Sequence, residues 1–244
     1  MKIAIYFHVS DHLGWQELVD DKVLLMQRTG LWDHAHIIQF QLHYDPASYR
    51  DWNVPYLRDP RVYLSYTPGS HAPLGETYSI KQLHMACKEQ AEDDVWAVFR
   101  TSTKGLTHRH DETWPVAQQW NDYIDYWTIE QWKLCYQSLK AGYDLVGANW
   151  HPAGAPRGHF SGTVFWARSD YMRTCYELQW PHQVNDARQL EGFSPRHDAE
   201  VWIGTGAELP RVLELHHYPH AVVYHVEAPK PEDYRLGSTN ISSK

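Results

Sequence analysis

Apolar positions along the chain follow two alternating rhythms. The run KIAIYFHV (2–9) is short, nearly continuous and rich in strand formers, which predicts a buried β-strand. The next segment, GWQELVDDKVLLMQRTG (14–30), carries Trp15, Leu18, Val19, Leu25 and Met26 on one helical face, with Gly30 as its stop. Strand-like runs recur at 34–43, 58–67, 93–102, 143–150 and 163–168. Helical spacing returns at 75–91 through Ile80, Leu83, His84 and Cys87. It is clearest at 113–141, where Trp120, Tyr123, Ile124 and Trp127 fall at i, i+3, i+4 and i+7. Thr113 and Pro115 suit the start of that helix and Gly142 its end. Shorter helices are expected at 169–178 and 194–204, and a closing strand at 221–228.

Strands alternating with helices predict an α/β fold with a mostly parallel central sheet flanked by helices. Neither a repeat nor a linker divides the chain. The reading is one domain over 1–228, followed by a polar, loop-like tail over 229–244. Ligands of such sheets bind beyond the carboxyl ends of the strands. The positions expected to carry chemistry are therefore 8–10, 101–107, 149–151 and 159–162.

Composition narrows the function classes. No apolar run approaches the roughly 20 residues of a membrane span. The three cysteines, Cys87, Cys135 and Cys175, are widely spaced and form no zinc or disulfide pattern. With no leader-like N-terminus, the cytoplasm is the expected compartment. A net charge of -8 argues against broad phosphate neutralisation on duplex nucleic acid, while leaving room for a local basic pocket. The outlier is aromatic content, with 12 Trp and 16 Tyr, which suits stacking on sugar faces or nucleobases as well as core packing.

Three stretches carry a resemblance: FRTSTKG (99–105), GYDLVGANW (142–150) with HFSGTVFWARSDY (159–171), and RHDAEVWIG (196–204). In this order they resemble a group of glycosyltransferase-like proteins of bacteria, phages and giant viruses. That group reads His-Thr-Lys-Gly at the first place, His-Phe-Ser-Gly-Asn-Phe-Trp-Trp-Ala at the second, and Arg, then Glu and Trp, at the third. The likeness spans roughly residues 1–205. It implies a single GT-A-like, Rossmann-like domain that binds a nucleotide sugar, with its second half shaping the acceptor site. Ser102 stands where the group has His, and Thr163 and Val164 replace Asn and Phe. Most GT-A enzymes place a metal-holding Asp-x-Asp after the fourth strand; RTSTKG stands there here, so a role for Mn²⁺ or Mg²⁺ is left open. Asp93 and Asp94 lie at the other end of that strand and read as a solvated turn.

Sugar transfer needs stabilisation of the leaving diphosphate, a base for the acceptor hydroxyl and a shaped donor pocket. Lys104 and Arg100 can supply cations, Gly105 allows close approach to a phosphate, and Ser102 and Thr103 complete that turn. The resemblance implies that His8 and Glu76 contact the nucleotide. It also makes Glu200 the base or acceptor ligand, with Asp198 as runner-up and Arg196 on a phosphate or an acid. Asn149, Trp150, His159, Ser161 and Gly162 are expected around the sugar and acceptor, Trp150 by stacking. The acceptor is a glycan or another hydroxyl compound, with a modified nucleobase as a phage-type variant. The alternative is a nucleotide-sugar or carbohydrate-binding module without catalysis. A glycoside hydrolase would need two opposed carboxylates, and the sequence offers no evident pair. The remaining histidines, including 216–217, match no zinc spacing.

Overall fold

The computed structural model describes residues 1–10, 14–43, 49, 52–67, 75–103, 112–152, 158–178, 198–218 and 229–235. The sheet is seven-stranded, in the order β3-β2-β1-β4-β8-β5-β9. Its strands are β1 (Lys2–Ser10), β2 (Ile37–His43), β3 (Val62–Tyr66), β4 (Trp96–Ser102), β5 (Leu145–Ala148), β8 (Phe165–Arg168) and β9 (Val212–His216). A separate antiparallel pair, β6 (Trp150–His151) and β7 (His159–Phe160), leaves the end of β5. Every pairing in the main sheet is parallel except those of β8, which runs antiparallel between β4 and β5.

The alternation within β1 explains why the sheet is covered on both faces. Ile3, Ile5, Phe7 and Val9 point into one apolar cluster, and Ala4 and Tyr6 into the other. The first cluster is roofed by α1 (Trp15–Thr29), α4 (Trp114–Asp125) and α5 (Trp132–Lys140), through Val19, Val23, Met26, Tyr123, Ile124 and Leu139. The second is roofed by α3 (Gly75–Glu89), α6 (Ser169–Arg173) and α7 (Asp198–Val201), through Ile80, Leu83, Met172 and Ala199. A short α2 (Leu31–His34) follows α1, whose end is set by Gly30 at φ 78° with its N–H on Gln27 O.

Several elements depart from the sequence expectation. The helix expected over 113–141 is broken by a π-turn, Tyr126–Glu130, in which Gln131 N–H reaches Tyr126 O at 3.0 Å. The turn turns Thr128 O toward the sheet, where it accepts Trp166 Nε1–H at 2.8 Å. The end of α5 is a Schellman arrangement: Gly142, at φ 95°, donates to Leu139 O and Tyr143 to Ser138 O. The strand expected at 163–168 begins only at Phe165, because Ser161–Thr163 forms a tight 3-10 turn. The helix expected at 169–178 ends at Arg173. In the one expected at 194–204, residues 194–197 lie outside the described set, and α7 passes into a 3-10 turn at Trp202–Gly204. The expected strand at 221–228 also lies outside the described residues; among the described strands, β9 stands at the sheet edge beside β5. The polar tail starts with a docked helix, α8 (Pro231–Tyr234), because Tyr234 packs edge-on to Tyr123 and beside Tyr126. All three cysteines are free and buried. Among the described residues no helix is long and apolar enough to cross a membrane.

Candidate functional site at the carboxyl ends of the strands

Chain order reverses at β1. From it the chain builds outward through β2 and β3, then crosses back to lay β4 on its other side. The crevice beyond the carboxyl ends of β1 and β4 is therefore the topological switch point where ligands of such sheets bind. His8 and Ser102 are register partners there. The two strand ends are clamped: Thr103 N–H donates to His8 O at 3.1 Å, and Ser10 N–H to Thr103 Oγ1 at 2.9 Å. Antiparallel β8 brings its starting turn, Ser161–Thr163, to this same end, and the end of β5 delivers Asn149. The sheet thus gathers His8, Ser102, Thr103, Asn149, Ser161 and Gly162 along one edge, as their positions after strands suggest.

Two kinds of stress concentrate at this edge. The first is backbone strain. Among the described residues, the non-glycine residues with positive φ are Asn149 (54°) and Thr163 (57°), and both stand here. Asn tolerates that conformation; a β-branched residue resists it, and such outliers persist only where neighbours over-determine them. Thr163 is held in that way. Its carbonyl accepts Arg100 Nη1–H at 2.5 Å, and its hydroxyl donates to Glu76 Oε1. The second stress is unpaired polarity. His8 Nδ1, Arg100 Nε, Thr101 Oγ1, Ser102 Oγ and Asn149 Nδ2 are buried with no hydrogen-bond partner among the described residues. Other such atoms are scattered through the fold, chiefly single indole or imidazole nitrogens. A cluster of them at a switch point is what a polar ligand would complete.

Arg100 is not an open cation. It is 1 % exposed, and its Nη2 pairs with Glu76 at 3.0 Å. Arg100 and Glu76 therefore brace the crevice by tying α3 to β4 and to the strained turn. His8 is 6 % exposed and held down to about 3 by burial, with Arg100 and His43 adding to the effect and Glu76 opposing it. Its imidazole is neutral at physiological pH. Lys104, Gly105 and Arg196 lie outside the described residues, as does the side chain of Asp198.

The residues that follow β5 form a second group. Asn149 joins the ends of β5 and β9: its N–H donates to His216 O at 2.9 Å, and its Oδ1 accepts Tyr218 N–H and, at 3.3 Å, the Tyr123 hydroxyl. Asn149 O in turn holds Ser161 N–H at 3.1 Å. Trp150 lies edge-on to Phe160 at 4.8 Å between ring centres, and its N–H is bound by Glu214. His151 Nε2 and Ser161 Oγ are 2.8 Å apart, and the His151 and His159 rings stack at 4.9 Å. Glu200, half-buried on α7, packs over this hairpin. The packing is close: a Cβ on Gly204 would lie 2.0 Å from Gly158 O. Burial lowers the His151 pKa, with His159 and His217 adding and Glu214 and Glu200 opposing.

His151 falls within the 149–151 stretch expected to carry chemistry but was given no role of its own, and Glu214 and His217 were not expected as site residues. His151 had a signal, since it directly follows Asn149 and Trp150 at a strand end. Glu214 and His217 had none without β9, whose half-buried residues show no clean alternation. The donors at the end of β4 are hydroxyls and a paired guanidinium, which do not fit a divalent metal held by carboxylates. Among the described residues no group of three His, Cys, Asp or Glu is arranged to hold one. Asp94 instead pairs with Lys2 at the opposite end of the sheet.

No protein-family model matches the chain, and no curated protein matches it significantly.

Proposed function

We propose that the chain is a nucleotide-sugar-dependent glycosyltransferase with a GT-A-like domain, acting on a glycan or other hydroxyl acceptor. The observation that carries this reading is the group of buried polar atoms without partners among the described residues at the carboxyl ends of β1, β4 and β5, beside the strained Ser161–Thr163 turn. Neutral hydroxyl, imidazole and amide groups suit the many oxygens of a sugar nucleotide. The motif likeness of 99–105, 159–171 and 196–204 supports the same reading.

In this reading His8, Ser102, Thr103, Lys104 and Gly105 line the donor side, with Lys104 facing the diphosphate, and Glu76 and Arg100 brace that wall. Asn149, Trp150, His159, Ser161 and Gly162 line the acceptor side. Arg196 and Asp198 flank it, and Glu200 supplies carboxylate charge. The acceptor oxygen attacks the anomeric carbon as its proton passes to a base of the site, the bond to the diphosphate oxygen breaks, and that bond's electron pair leaves with the diphosphate. A cation at the leaving oxygen lowers that barrier.

The test is titration calorimetry with UDP, GDP and their common sugar conjugates, paired with release of nucleoside diphosphate. Binding with turnover supports the transferase. Binding without turnover makes the chain a nucleotide-sugar-binding module. Absence of binding to every nucleotide defeats both.

A further inference from the structure

Sugar transfer must deliver the acceptor proton to a base, and one arrangement at this site is already set for it. His151 Nε2 and Ser161 Oγ stand at hydrogen-bond distance, 2.8 Å. Neither residue is loosely held. His151 pairs with His159 across β6 and β7 and stacks on its ring. Ser161 is fixed through its N–H to Asn149 O and is followed by Gly162 at φ 83° and the strained Thr163. Both side chains are half-buried, so a ligand hydroxyl can reach Ser161.

Charged and titratable groups face His151 from each element around it: His159 on β7, Glu214 on β9, His217 just after it, and Glu200 on α7. Glu214 is itself occupied, accepting Trp150 N–H at 2.8 Å and lying 2.8 Å from His217 Nδ1. Burial and the two histidines keep the imidazole neutral, and the two carboxylates offset the charge it gains on protonation. A hydroxyl beside a neutral imidazole, with carboxylate charge near enough to favour its protonated form, suits a base-activated hydroxyl.

We infer that His151, working through Ser161, is the proton acceptor of this site, and that its substrate is a neutral hydroxyl compound. The inference rests on the proposed transferase reading. As the acceptor oxygen bonds to the anomeric carbon, its proton passes to Ser161 Oγ, while the Ser161 proton passes to His151 Nε2. The serine ends unchanged, the imidazole becomes imidazolium with its charge offset by Glu214 and Glu200, and solvent later takes the proton. Glu200 then acts as counter-charge to the ring.

The experiment has two arms. In the first, UDP-glucose, UDP-galactose, UDP-N-acetylglucosamine and GDP-mannose are offered with water as acceptor, and kcat is followed against pH. Ser161→Ala and His151→Gln should each lower kcat about 10²-fold or more with donor Kd within a few fold. The double variant should fall no further, since the two act as a unit. Wild-type kcat should rise with pH through an acid limb, because the ring must be neutral. That limb should vanish in His151→Gln and move to lower pH in Glu200→Gln, which removes a charge favouring imidazolium. Rates within threefold of wild type in both single variants overturn the inference. So does a limb that survives His151→Gln and disappears in Glu200→Gln, which makes Glu200 the base. A hexose found covalently on Ser161 by intact mass also overturns it.

The second arm needs no donor. NMR titration of the free protein should show His151 titrating below the ordinary histidine value, with its neutral proton on Nδ1 and a shift on Ser161→Ala. A proton on Nε2, or titration above the ordinary value, sinks the relay even if sugar transfer is observed. Normal His151 behaviour with no donor bound or cleaved sinks the transferase reading first, and the relay with it.

Discussion

The two ends of the sheet treat their arginines differently. At the amino ends of the strands, Arg173 donates to Cys87 O, Ala91 O, Glu92 O and Asp94 O, closing the turn before β4. Arg61 does the same for Trp32 O, Asp33 O and Ala35 O while pairing with Asp59. At the carboxyl ends, Arg100 is more deeply buried, yet its Nε and the hydroxyls of its neighbours Thr101 and Ser102 have no hydrogen-bond partner among the described residues. The first end uses cations to saturate loop carbonyls. The second holds strained backbone and unmet polar groups in place, at a cost in stability that a ligand can offset.

The largest expected effect tests the seam that holds the second end together. Gly204→Ala would drive a methyl group into Gly158 O, backbone against backbone. A loss of about 3 kcal/mol is expected in urea unfolding. Turnover should fall beyond what the unfolded fraction explains, because the hairpin carrying His151 shifts from α7.

The arginines sharpen the comparison directly. Arg100→Met breaks a buried ion pair and frees the carbonyl of Thr163, for an expected cost of about 3 kcal/mol. Arg173→Met gives up hydrogen bonds that water can partly replace, about 1–2 kcal/mol. Under the proposed function, only Arg100→Met should abolish stabilisation by UDP or GDP in thermal melts. Equal loss of that stabilisation in both variants would erase the distinction between the ends.

Acid should weaken the carboxyl end selectively. His8 is neutral when folded, with its pKa lowered to about 3 by burial, whereas the unfolded chain takes up a proton near the ordinary histidine value of about 6.5. Its contribution is complete above that value and is lost as pH falls below it, about 2–3 kcal/mol by roughly pH 4.5. His84, His151 and His216 shift in the same direction and add to the slope. Stability of His8→Asn measured between roughly pH 7 and 4.5 should fall less steeply than wild type. An unchanged slope would mean that His8 is not buried neutral.

The smallest effect uses two glycines of like conformation. Gly30 at φ 78° has open space around its Cβ position, and Gly162 has φ 83°. Alanine at either should cost about 1 kcal/mol of backbone strain. Chemical denaturation should find them similar, while nucleoside diphosphate release should be reduced by Gly162→Ala alone.

Most of this frame was legible because burial on both faces writes itself into a strand as a continuous apolar run, as in β1. What periodicity could not read is pairing over distance. Lys22 interrupts the apolar face of α1, yet it is 2 % exposed because Asp125, on α4, receives its ammonium. Burial raises the Asp125 pKa, with Lys22 opposing. The π-turn had no Gly or Pro to announce it. At the candidate site, strand ends pointed to corners that the sheet does bring to one end. The fate of Arg100 depended on Glu76, a partner from another element, and Thr163 is a residue type that argues against the very conformation it adopts.

The position of β8 also sets a schedule for synthesis. β1 to β4 are complete by Ser102, but the strand that covers the open edge of β4 starts at Phe165, after β5 has been made. At roughly 5–20 residues per second, the ribosome needs about 3–12 s to deliver it. During that interval a nascent four-stranded sheet presents β4, every residue of which is buried in the finished protein, as an uncapped edge. Nascent chains stalled between β4 and β8 should therefore be the stage at which a chaperone engages and at which coaggregation of polysomes begins.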